Sequence, residues 1–329
     1  MNYDYNTKNQ SFLDVHNFLK ERGIKNNNFM LQLNNPALAN IDPFKPNITQ
    51  EEIAMVLQEC TNNFWYFIRE VVRWDHDGEI VHTKLDRGNA AMYWNTQNNI
   101  STWRTNIRQT CSDLSVQSIL LWQMLKTQFT DKIISNDSPN ARFRLRLIMH
   151  LSSLLPPYMA FIVAQPKNSN VDNINHIKNS ILMSKLDISP TQRTERDAEC
   201  IFRGDDTNIV FFHRAEIIPH LETLVKNRAP VLGARHKHCI NIFNSGYGPN
   251  DSESTIFSQN YIEGMIKWQD HFYDYNIDEF TSTINKYSNG VVYIKNNYNE
   301  LGYDDVWFNE MKTFMDDKNI KREILLQRV

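Results

Sequence analysis

Apolar residues recur at helical spacing near the start of the chain. Residues 10–24, QSFLDVHNFLKERGI, carry apolar side chains on one side of a helix and include Gly23 near the end. The pattern predicts a short amphipathic helix. Its apolar side is formed by Phe12, Val15, Phe18 and Leu19.

A longer helical pattern covers residues 51–72, EEIAMVLQECTNNFWYFIREVV. Thr49 lies just before this segment and Glu52 lies three residues after Thr49, and this pair is the signature of a capping box. We therefore predict one helix over the whole segment. Its consecutive aromatic residues, 64–66, are expected to lie in the hydrophobic core.

Helical and strand patterns alternate further along the chain. Residues 87–99 have a helical pattern, and residues 100–107, ISTWRTNI, fit a short strand. Residues 107–126, IRQTCSDLSVQSILLWQMLK, fit a strand end, a tight loop and an amphipathic helix. An apolar run at 209–212 and an alternating segment at 236–246 predict two more strands. This alternation predicts an α/β fold with a mostly parallel central sheet flanked by helices.

The first 48 residues differ from the rest of the chain. They are rich in asparagine and, beyond the short helix, contain a segment with proline turns, NNPALANIDPFKP. We expect residues 1–48 to form a helical and extended N-terminal arm. Residues 49–329 are expected to form one α/β domain.

The composition excludes several classes of protein. The 329 residues are 41% hydrophobic and 12% aromatic, so the chain can bury a substantial core. The 35 basic and 38 acidic residues nearly cancel, so binding to nucleic acid requires local basic patches. No apolar run approaches the roughly 18 residues of a membrane span, and the polar N-terminus does not resemble a signal peptide. We expect no contact with a membrane.

Cysteine and histidine spacing gives little support for a metal site. The four cysteines contain no CxxC pair, which argues against a zinc knuckle or a disulfide framework and fits a reducing cytoplasm. His236 and His238 share one face of a predicted strand, and they would bind zinc if His213 supplied a third ligand. An incidental pair is the interpretation we favour, and no metal is expected.

Several segments together resemble the ATPase domain of the large terminase subunit, the motor that pumps DNA into the capsids of tailed bacteriophages. The segments are NNPALANIDPF, FWYFIREVV, LDRGNAAMYW, LSSLLPPYM, FRGDDTNIVFF, VVYIKNNYNELGYDDVWFNEM and KREILL. Their order and spacing over most of the chain carry the resemblance. It implies a P-loop NTPase-like sandwich in which residues 107–126 contain the position of the phosphate-binding loop.

The resemblance implies that this loop is degenerate. Members of the family have RQTGKT at this place. The corresponding residues here are Arg108, Gln109, Thr110, Cys111, Ser112 and Asp113. Glycine lets such a loop adopt a positive φ, and a cysteine in that conformation costs about 1 kcal/mol or more. The family's lysine places a cation between two phosphates and the next hydroxyl holds magnesium, but Ser112 is uncharged and Asp113 is an acid.

The change of charge weakens nucleotide binding. Two unit charges about 4 Å apart interact by roughly 4 kcal/mol at an effective dielectric constant near 20. Since about 1.4 kcal/mol is a factor of ten in affinity, replacing an attraction by a repulsion removes ordinary binding. Ser112 or Asp113 can instead cap the helix that begins at Leu114, because a side-chain oxygen accepts its free amides. We expect neither ATP nor magnesium to bind.

The family's other catalytic motifs also differ here. After an apolar strand, terminases have an aspartate that orients magnesium and a glutamate that activates water, whereas this chain has His213 and Arg214. Glu216 lies two residues further on, and a rescue role for it is an alternative. The threonine-rich strand end that couples hydrolysis to movement is replaced by residues 241–246, NIFNSG.

Two features of a nucleotide site remain. Arg108 keeps the position of the family's arginine, and residues 85–89, LDRGN, correspond to the segment near the adenine pocket. Arg87 and Asn89 are therefore candidate remnants of the site. The structural alternative, which we favour, is that Arg108 pairs with a nearby carboxylate and that residues 87–89 cap a helix.

Two other segments suggest chemistry. Residues 142–147, RFRLRL, place arginines on one side, where they would contact a DNA backbone, although a solvated helix face is the more common arrangement. Cys111 at a helix N-terminus would be a candidate reactive thiol. The acid of Asp113 nearby and the lack of a base in the same segment argue against catalysis.

These observations predict a catalytically inactive, terminase-like protein that acts by binding. The expected partners are terminase, the portal or another phage protein, in the cytoplasm of the infected host cell, and DNA contacts would use local basic patches. Full-length terminases continue into a nuclease domain with clustered carboxylates. Because the sequence lacks that segment, we expect no DNA cleavage.

Two alternatives stay open. In the first, the fold is recruited for a role against a host protein or as a structural part of the virion. In the second, which we favour less, the protein is a divergent ATPase whose missing lysine comes from another segment of the chain, with Lys84 and Lys126 as candidates, or from a neighbouring subunit.

Overall fold

The strands of the protein form an antiparallel ribbon and a parallel sheet. The computed structural model describes residues 7–76, 78–105, 107, 114–116, 118–119, 121–122, 132–135, 154–156, 158–159, 207–213, 215, 221–223, 225–226, 240–246, 253–263, 265, 270–288 and 290–327. None of the helices in these ranges combines the length and the hydropathy that a membrane span requires.

The chain divides into two compact units. Unit 1 comprises Met1–Leu85, Asp113–Asp131 and Asn140–Leu186, and unit 2 comprises Asp86–Ser112, Lys132–Pro139 and Asp187–Val329. The division of the chain into an arm up to residue 48 and a domain from residue 49 stays a prediction.

Unit 1 contains helices and a short ribbon. Its described elements are α1 (Gln10–Glu21), a 3-10 helix (Pro36–Asn40), α2 (Gln50–Asn62), α3 (Phe64–Tyr66), a π-helix (Phe67–Val71), β1 (Arg73–His76) and β2 (Glu79–His82). Residues 114–116, 118–119 and 121–122 are helical as well. Helical structure after Leu114 therefore agrees with the prediction from the sequence.

The N-termini of the first two predicted helices are confirmed, whereas Phe18, predicted on the apolar side of the first helix, is only half-buried. α1 buries Phe12, Val15 and Leu19, and the chain turns at Gly23 with a φ of +74°. At the start of α2 the capping box forms as predicted. The Thr49 hydroxyl accepts from the Glu52 amide at 3.2 Å, and the Glu52 carboxylate accepts from the Thr49 amide at 2.9 Å.

The prediction of one helix over residues 51–72 is wrong. α2 ends at Asn62, and Asn63 has an extended backbone with φ −133° and ψ 95°. The Asn63 side chain accepts from the Tyr66 amide at 3.1 Å and thereby caps α3, which leads into the π-helix. An asparagine side chain that bonds to a nearby amide competes with the continuous helix, which explains the break.

The aromatic segment is part of the core of unit 1, as predicted. Phe64 and Tyr66 are almost fully buried, and Trp65 is 8% exposed. Phe64 makes an edge-on contact with Trp122, with ring centroids 5.2 Å apart. The indole of Trp122 donates to the Cys60 carbonyl at 2.8 Å, which ties the helical segment after Leu114 to the end of α2.

Unit 2 is built on the parallel sheet. Its described elements are α4 (Arg87–Gln97), β3 (Ser101–Thr105), β4 (Lys132–Ser135), β5 (Thr207–His213), α5 (Leu221–Thr223), β6 (Ile240–Ser245), α6 (Glu253–Glu263), a 3-10 helix (Asp270–Asp274), α7 (Ile277–Ser288), β7 (Val291–Lys295), a 3-10 helix (Asn299–Leu301), α8 (Asp305–Phe314) and α9 (Asp317–Glu323).

The five strands of the sheet lie in the order β4-β5-β6-β3-β7, and every pair is parallel. The predicted α/β class with a parallel sheet and flanking helices is therefore confirmed. β3 and β6 form within the segments predicted as strands, and β5 contains the predicted apolar run 209–212 and extends beyond it at both ends. β4, β7 and the β1–β2 ribbon carry no prediction from the sequence.

Side chains of β3 alternate between two packed layers. Trp103 is fully buried and stacks on Phe243, with ring centroids 4.6 Å apart, in a cluster that includes residues of α6. Thr102 points to the other side, where its hydroxyl accepts from Asn95 of α4 at 3.1 Å. The alternation follows from the two-residue period of a strand, so β3 is covered by helices on both faces.

Candidate functional site

The carboxyl end of β3 is the best-placed position for a site in unit 2. β3 lies between β6 and β7, although the chain continues from β3 to β4 at the far edge of the sheet. The strand order thus changes direction at β3. In open parallel sheets, ligands bind in the crevice outside the carboxyl ends of the strands at such a point.

The chain leaves β3 through a buried residue. Ile107 is 2% exposed and packs with Leu301 and Leu326 in a small apolar cluster. The side chains of Tyr298, Tyr303 and Trp307 lie against this cluster. The Lys295 ammonium at the end of β7 donates to the Leu326 carbonyl at 2.9 Å, so this edge of the sheet is covered by the C-terminal segment of the described chain.

A buried polar cluster joins β3 to the start of α4. Asp86 is the N-cap of α4, and its carboxylate accepts from the Asn89 amide at 2.7 Å and from the Asn89 side chain at 2.9 Å. Arg104 of β3 donates to Oδ1 of Asn89, and its guanidinium lies 3.6 Å from the Asp86 carboxylate. We call Asp86, Asn89 and Arg104 the β3–α4 cluster.

The three side chains of the β3–α4 cluster satisfy one another's hydrogen-bonding groups and charges. Arg104 is 2% exposed and Asn89 is 3% exposed, so an unpaired charge there would be costly. The Asp86 carboxylate supplies the opposite charge and also caps the helix, where a negative group is favourable. The arrangement therefore supports a structural role for Asn89, which holds the strand and the helix together.

Gly88 makes the close approach between α4 and β3 possible. A Cβ atom at Gly88 would lie 3.0 Å from Oδ1 of Asn296 and 3.1 Å from Nη2 of Arg104. Asn296 is 4% exposed, and its Nδ2 has no hydrogen-bond partner among the described residues. Arg87 is the neighbour of Gly88 in the chain. Its Nη1 lies 3.9 Å from a carboxylate oxygen of Glu300.

The end of β6 contributes hydroxyl and amide groups to the same edge. Ser245 Oγ accepts from the Trp103 indole at 2.9 Å and lies 3.3 Å from the Thr105 hydroxyl. Ser245 is 6% exposed. Ser245, the last residue of β6, therefore has its hydroxyl bonded within the sheet. The correspondence of residues 241–246 to the family's threonine-rich strand end stays a prediction.

The end of β5 lies at the same edge, one strand further on. His213 pairs with Asn244 of β6, and Asn244 pairs in turn with Arg104 of β3. The backbone register thus places His213 at the same edge of the sheet as the carboxyl end of β3, with β6 between them. For β5 the structure describes the backbone alone.

Most of the residues named from the sequence lie outside the described part of the chain. These are Arg108, Gln109, Thr110, Cys111, Ser112, Asp113, Arg214, Glu216, Lys126, His236, His238 and the segment 142–147. Their assignment to a nucleotide site, a zinc site or a DNA contact stays a prediction. Within the described residues, no group of three or more His, Cys, Asp or Glu side chains is arranged to hold a metal ion.

Sequence reasoning did not identify Asp86, Arg104 and Asn296 at this edge. Two signals were present. Asp86 stands three residues before Asn89 and directly before a helical pattern, which is typical of an N-cap. Arg104 is a charged residue inside an otherwise buried strand, and buried arginines are almost always paired.

Comparisons with solved structures give a partial likeness. The large terminase ATPase domain of Thermus phage P74-26 and a single-residue variant of that domain each match with a TM-score of 0.45 and 11% sequence identity. The match covers 75% of this chain and 94% and 95% of those two chains, respectively. No family model and no curated protein matches the sequence. A likeness of this size identifies neither a family nor an activity.

Proposed function

We propose that the protein is a catalytically inactive, terminase-like P-loop-fold protein that acts by binding to other phage proteins. One observation carries the proposal: the segment after β3, at the point where the strand order changes direction, has Cys111, Ser112 and Asp113 in place of glycine, lysine and threonine. This is the position where a parallel sheet of this kind binds a ligand.

The charges of the residues that stand in the family's motif positions also disfavour a triphosphate with magnesium. Asp113 is an acid in the segment that would surround the phosphates, and β5 ends in His213 followed by Arg214 rather than in carboxylates. Magnesium requires oxygen ligands, chiefly carboxylates and phosphates. A site without them has no means to orient the metal or to activate water.

The described neighbours of the segment are already engaged with one another. Arg104 is bound to Asn89 and Asp86, and Ser245 is bound to Trp103. These bonds support a scaffold in which the helix and strands keep their positions without nucleotide. A scaffold of this kind is suited to binding, with terminase, the portal or another phage protein as the proposed partner.

The first experiment measures ATP binding and hydrolysis by the purified protein with magnesium. We expect neither, whereas the triple variant Cys111→Gly, Ser112→Lys, Asp113→Thr should bind nucleotide measurably more tightly, because it regains a cation and loses an acid. Magnesium-dependent turnover by the unaltered protein would overturn the proposal. In that case Lys84→Ala and Lys126→Ala variants identify the substitute lysine.

The second experiment identifies the partner. A tagged copy is recovered from infected cells and the co-purified proteins are identified. Recovery of terminase or portal supports the proposed role in the packaging apparatus. Recovery of a host protein, or incorporation of the tagged copy into virions, would contradict it and favour the host-directed or structural role.

A further inference from the structure

Unit 1 contains a cavity of about 280 Å³ beside the β1–β2 ribbon. Its lining includes Lys8, the segment 38–43, Glu70, Arg73 and His82. We call it the ribbon pocket. Its volume is close to the lower limit of about 300 Å³ for small-molecule sites, so its occupant would be small.

The ribbon explains why two basic side chains line one pocket. Arg73 of β1 and His82 of β2 are direct partners in the antiparallel register. Residues directly opposite each other on such a pair project from the same face. Both side chains therefore reach the ribbon pocket from adjacent strands.

Arg73 is held in place by aromatic and backbone contacts. Its guanidinium lies over the Phe44 ring, 4.3 Å from the centroid, and Nη1 donates to the Val72 carbonyl at 3.4 Å. In the part of the chain that the structure describes, no carboxylate lies at ion-pair distance from this guanidinium. Burial lowers the pKa of Arg73, and the charges of Glu70 and Asp42 partly oppose that shift.

The two acids of the ribbon pocket already have partners. Oε1 of Glu70 accepts from the Thr7 hydroxyl at 2.6 Å and from Nε of Arg69 at 2.9 Å. Asp42 accepts from the Phe44 amide at 2.9 Å and lies 3.8 Å from the ammonium of Lys8. Their charges are thus partly compensated by groups other than Arg73.

We propose that the ribbon pocket binds a small oxyanion, a phosphate or carboxylate group, with Arg73 as its principal ligand and His82 beside it. A guanidinium has five donors in a planar fork that suits either group. Charge-assisted bonds of this kind are about twice as strong as neutral ones. None of the lining residues belongs to the segment after β3, so the proposal does not depend on the proposed function.

His82 provides an independent signal of occupancy. Its Nδ1 lies 3.4 Å from the Arg69 carbonyl, and the charged groups that act on it are Arg73, Glu70 and Asp42. Burial and the Arg73 charge lower the pKa of His82. A bound anion favours the protonated imidazole, so its arrival should raise this pKa, and binding should strengthen as the pH falls below the ordinary value of about 6.5.

The test is calorimetric titration of the full chain with inorganic phosphate and, separately, with succinate. We expect at least one to bind with a Kd of about 1 mM or below. Arg73→Gln should weaken that binding by about tenfold or more, which is the effect of losing one charged hydrogen bond. The matched control is Arg22→Gln, because Arg22 also lies over a phenylalanine ring, 4.6 Å from the Phe18 centroid, but outside the ribbon pocket.

The outcomes are distinguishable even if a variant folds poorly. A preference for phosphate assigns a phosphorylated small molecule, and a preference for succinate assigns a carboxylated one. In the unaltered protein, saturation should shift the NMR titration of His82 to higher pH and leave the signals of His16 in place. Absence of binding by both anions, equal loss in Arg73→Gln and Arg22→Gln, or an unchanged His82 titration would overturn the proposal.

Discussion

At the start of α4, Gly88 packs so closely against its neighbours that a Cβ atom there would require them to move. Gly88 faces Asn296 and Arg104 at distances that a Cβ atom could occupy only if its neighbours moved. Both neighbours are buried, and Arg104 is fixed by Asn89 and Asp86. The glycine therefore sets how closely the helix approaches β3.

Gly88→Ala should lower the free energy of unfolding. Alanine gains up to about 1 kcal/mol in helix propensity, but overpacking in a closed core costs about 1 to 3 kcal/mol, so the steric term should prevail. Urea denaturation followed by circular dichroism measures the difference. Adding Asn296→Ala removes the nearest atom and should recover part of the loss. A more stable Gly88→Ala variant would show that the neighbours give way.

Single residues also show where sequence analysis succeeds and where it does not. The Thr49 and Glu52 capping box is predictable because both partners lie within one turn of chain. The pairing of Arg104 with Asp86 and Asn89 joins a strand to the preceding helix. Contacts of that kind depend on how elements pack, and the pattern of apolar residues does not specify them.

Among the elements, the break after α2 depends on one polar side chain. Asn63 caps α3 and its Nδ2 donates to Glu59 at 2.7 Å and to the Gln32 carbonyl at 2.9 Å. Glu59 is 2% exposed and accepts from the Asn34 and Asn35 amides at 2.8 and 3.1 Å. The break thus anchors the segment that precedes α2.

Asn63→Ala should destabilise the protein by about 1 to 2 kcal/mol, the usual cost of losing a helix cap. The neighbouring Asn62→Ala is the matched control, because Asn62 makes a single exposed bond to the Gln58 carbonyl at 2.9 Å. Its effect should stay within about 0.5 kcal/mol. Thermal denaturation of the two variants in parallel gives the comparison. Equal losses would mean that the cap contributes little.

Helix periodicity could not reveal this break. Residues 51–72 keep their apolar spacing through Asn63, so the pattern predicts a continuous helix. The Asn63 side chain interrupts the helix, and its Nδ2 donates to Glu59 and to the Gln32 carbonyl. Gln32 lies in a different segment of the chain. The strands β4 and β7 could not be predicted for a related reason. Each is a short apolar run without a clear alternation, and such runs are not distinguishable from buried helical segments by periodicity alone.

For the molecule as a whole, the sheet depends most on its inner strand β3. β3 pairs with β6 on one side and with β7 on the other, and Trp103 lies at the centre of the cluster beneath α6. A substitution at Trp103 should therefore disturb the pairing of β3 with both neighbouring strands and the packing of this cluster.

Trp103→Ala should remove about 3 to 5 kcal/mol of stability, which is much of the roughly 5 to 15 kcal/mol of a typical domain. Urea denaturation followed by tryptophan fluorescence and far-ultraviolet circular dichroism provides the measurement. Trp307→Ala is the control, because Trp307 lies in α8 and is only partly buried, so its loss should cost less. If Trp307→Ala lowered the free energy of unfolding more than Trp103→Ala, the cluster around Trp103 would not be the main stabilising core.

The class of fold was accessible from the sequence, but the order of strands was not. Alternating helical and strand patterns imply a parallel sheet. Nothing in the pattern of 236–246 indicates that β6 inserts between β5 and β3, because strand order depends on contacts between distant segments. The family resemblance had already pointed to the segment after β3, and the strand order adds that β3 is an inner strand of the sheet.

The interleaving of the two units has a consequence for synthesis on the ribosome. The chain changes unit after Leu85, Ser112, Asp131, Pro139 and Leu186. β3 is therefore synthesised long before its partners β6 and β7. More than a hundred further residues are translated before β3 can pair with either of them. Unpaired strand edges in nascent chains promote aggregation. We therefore expect truncated forms to be insoluble when expressed. Co-expression of chaperones should increase the yield of soluble full-length protein.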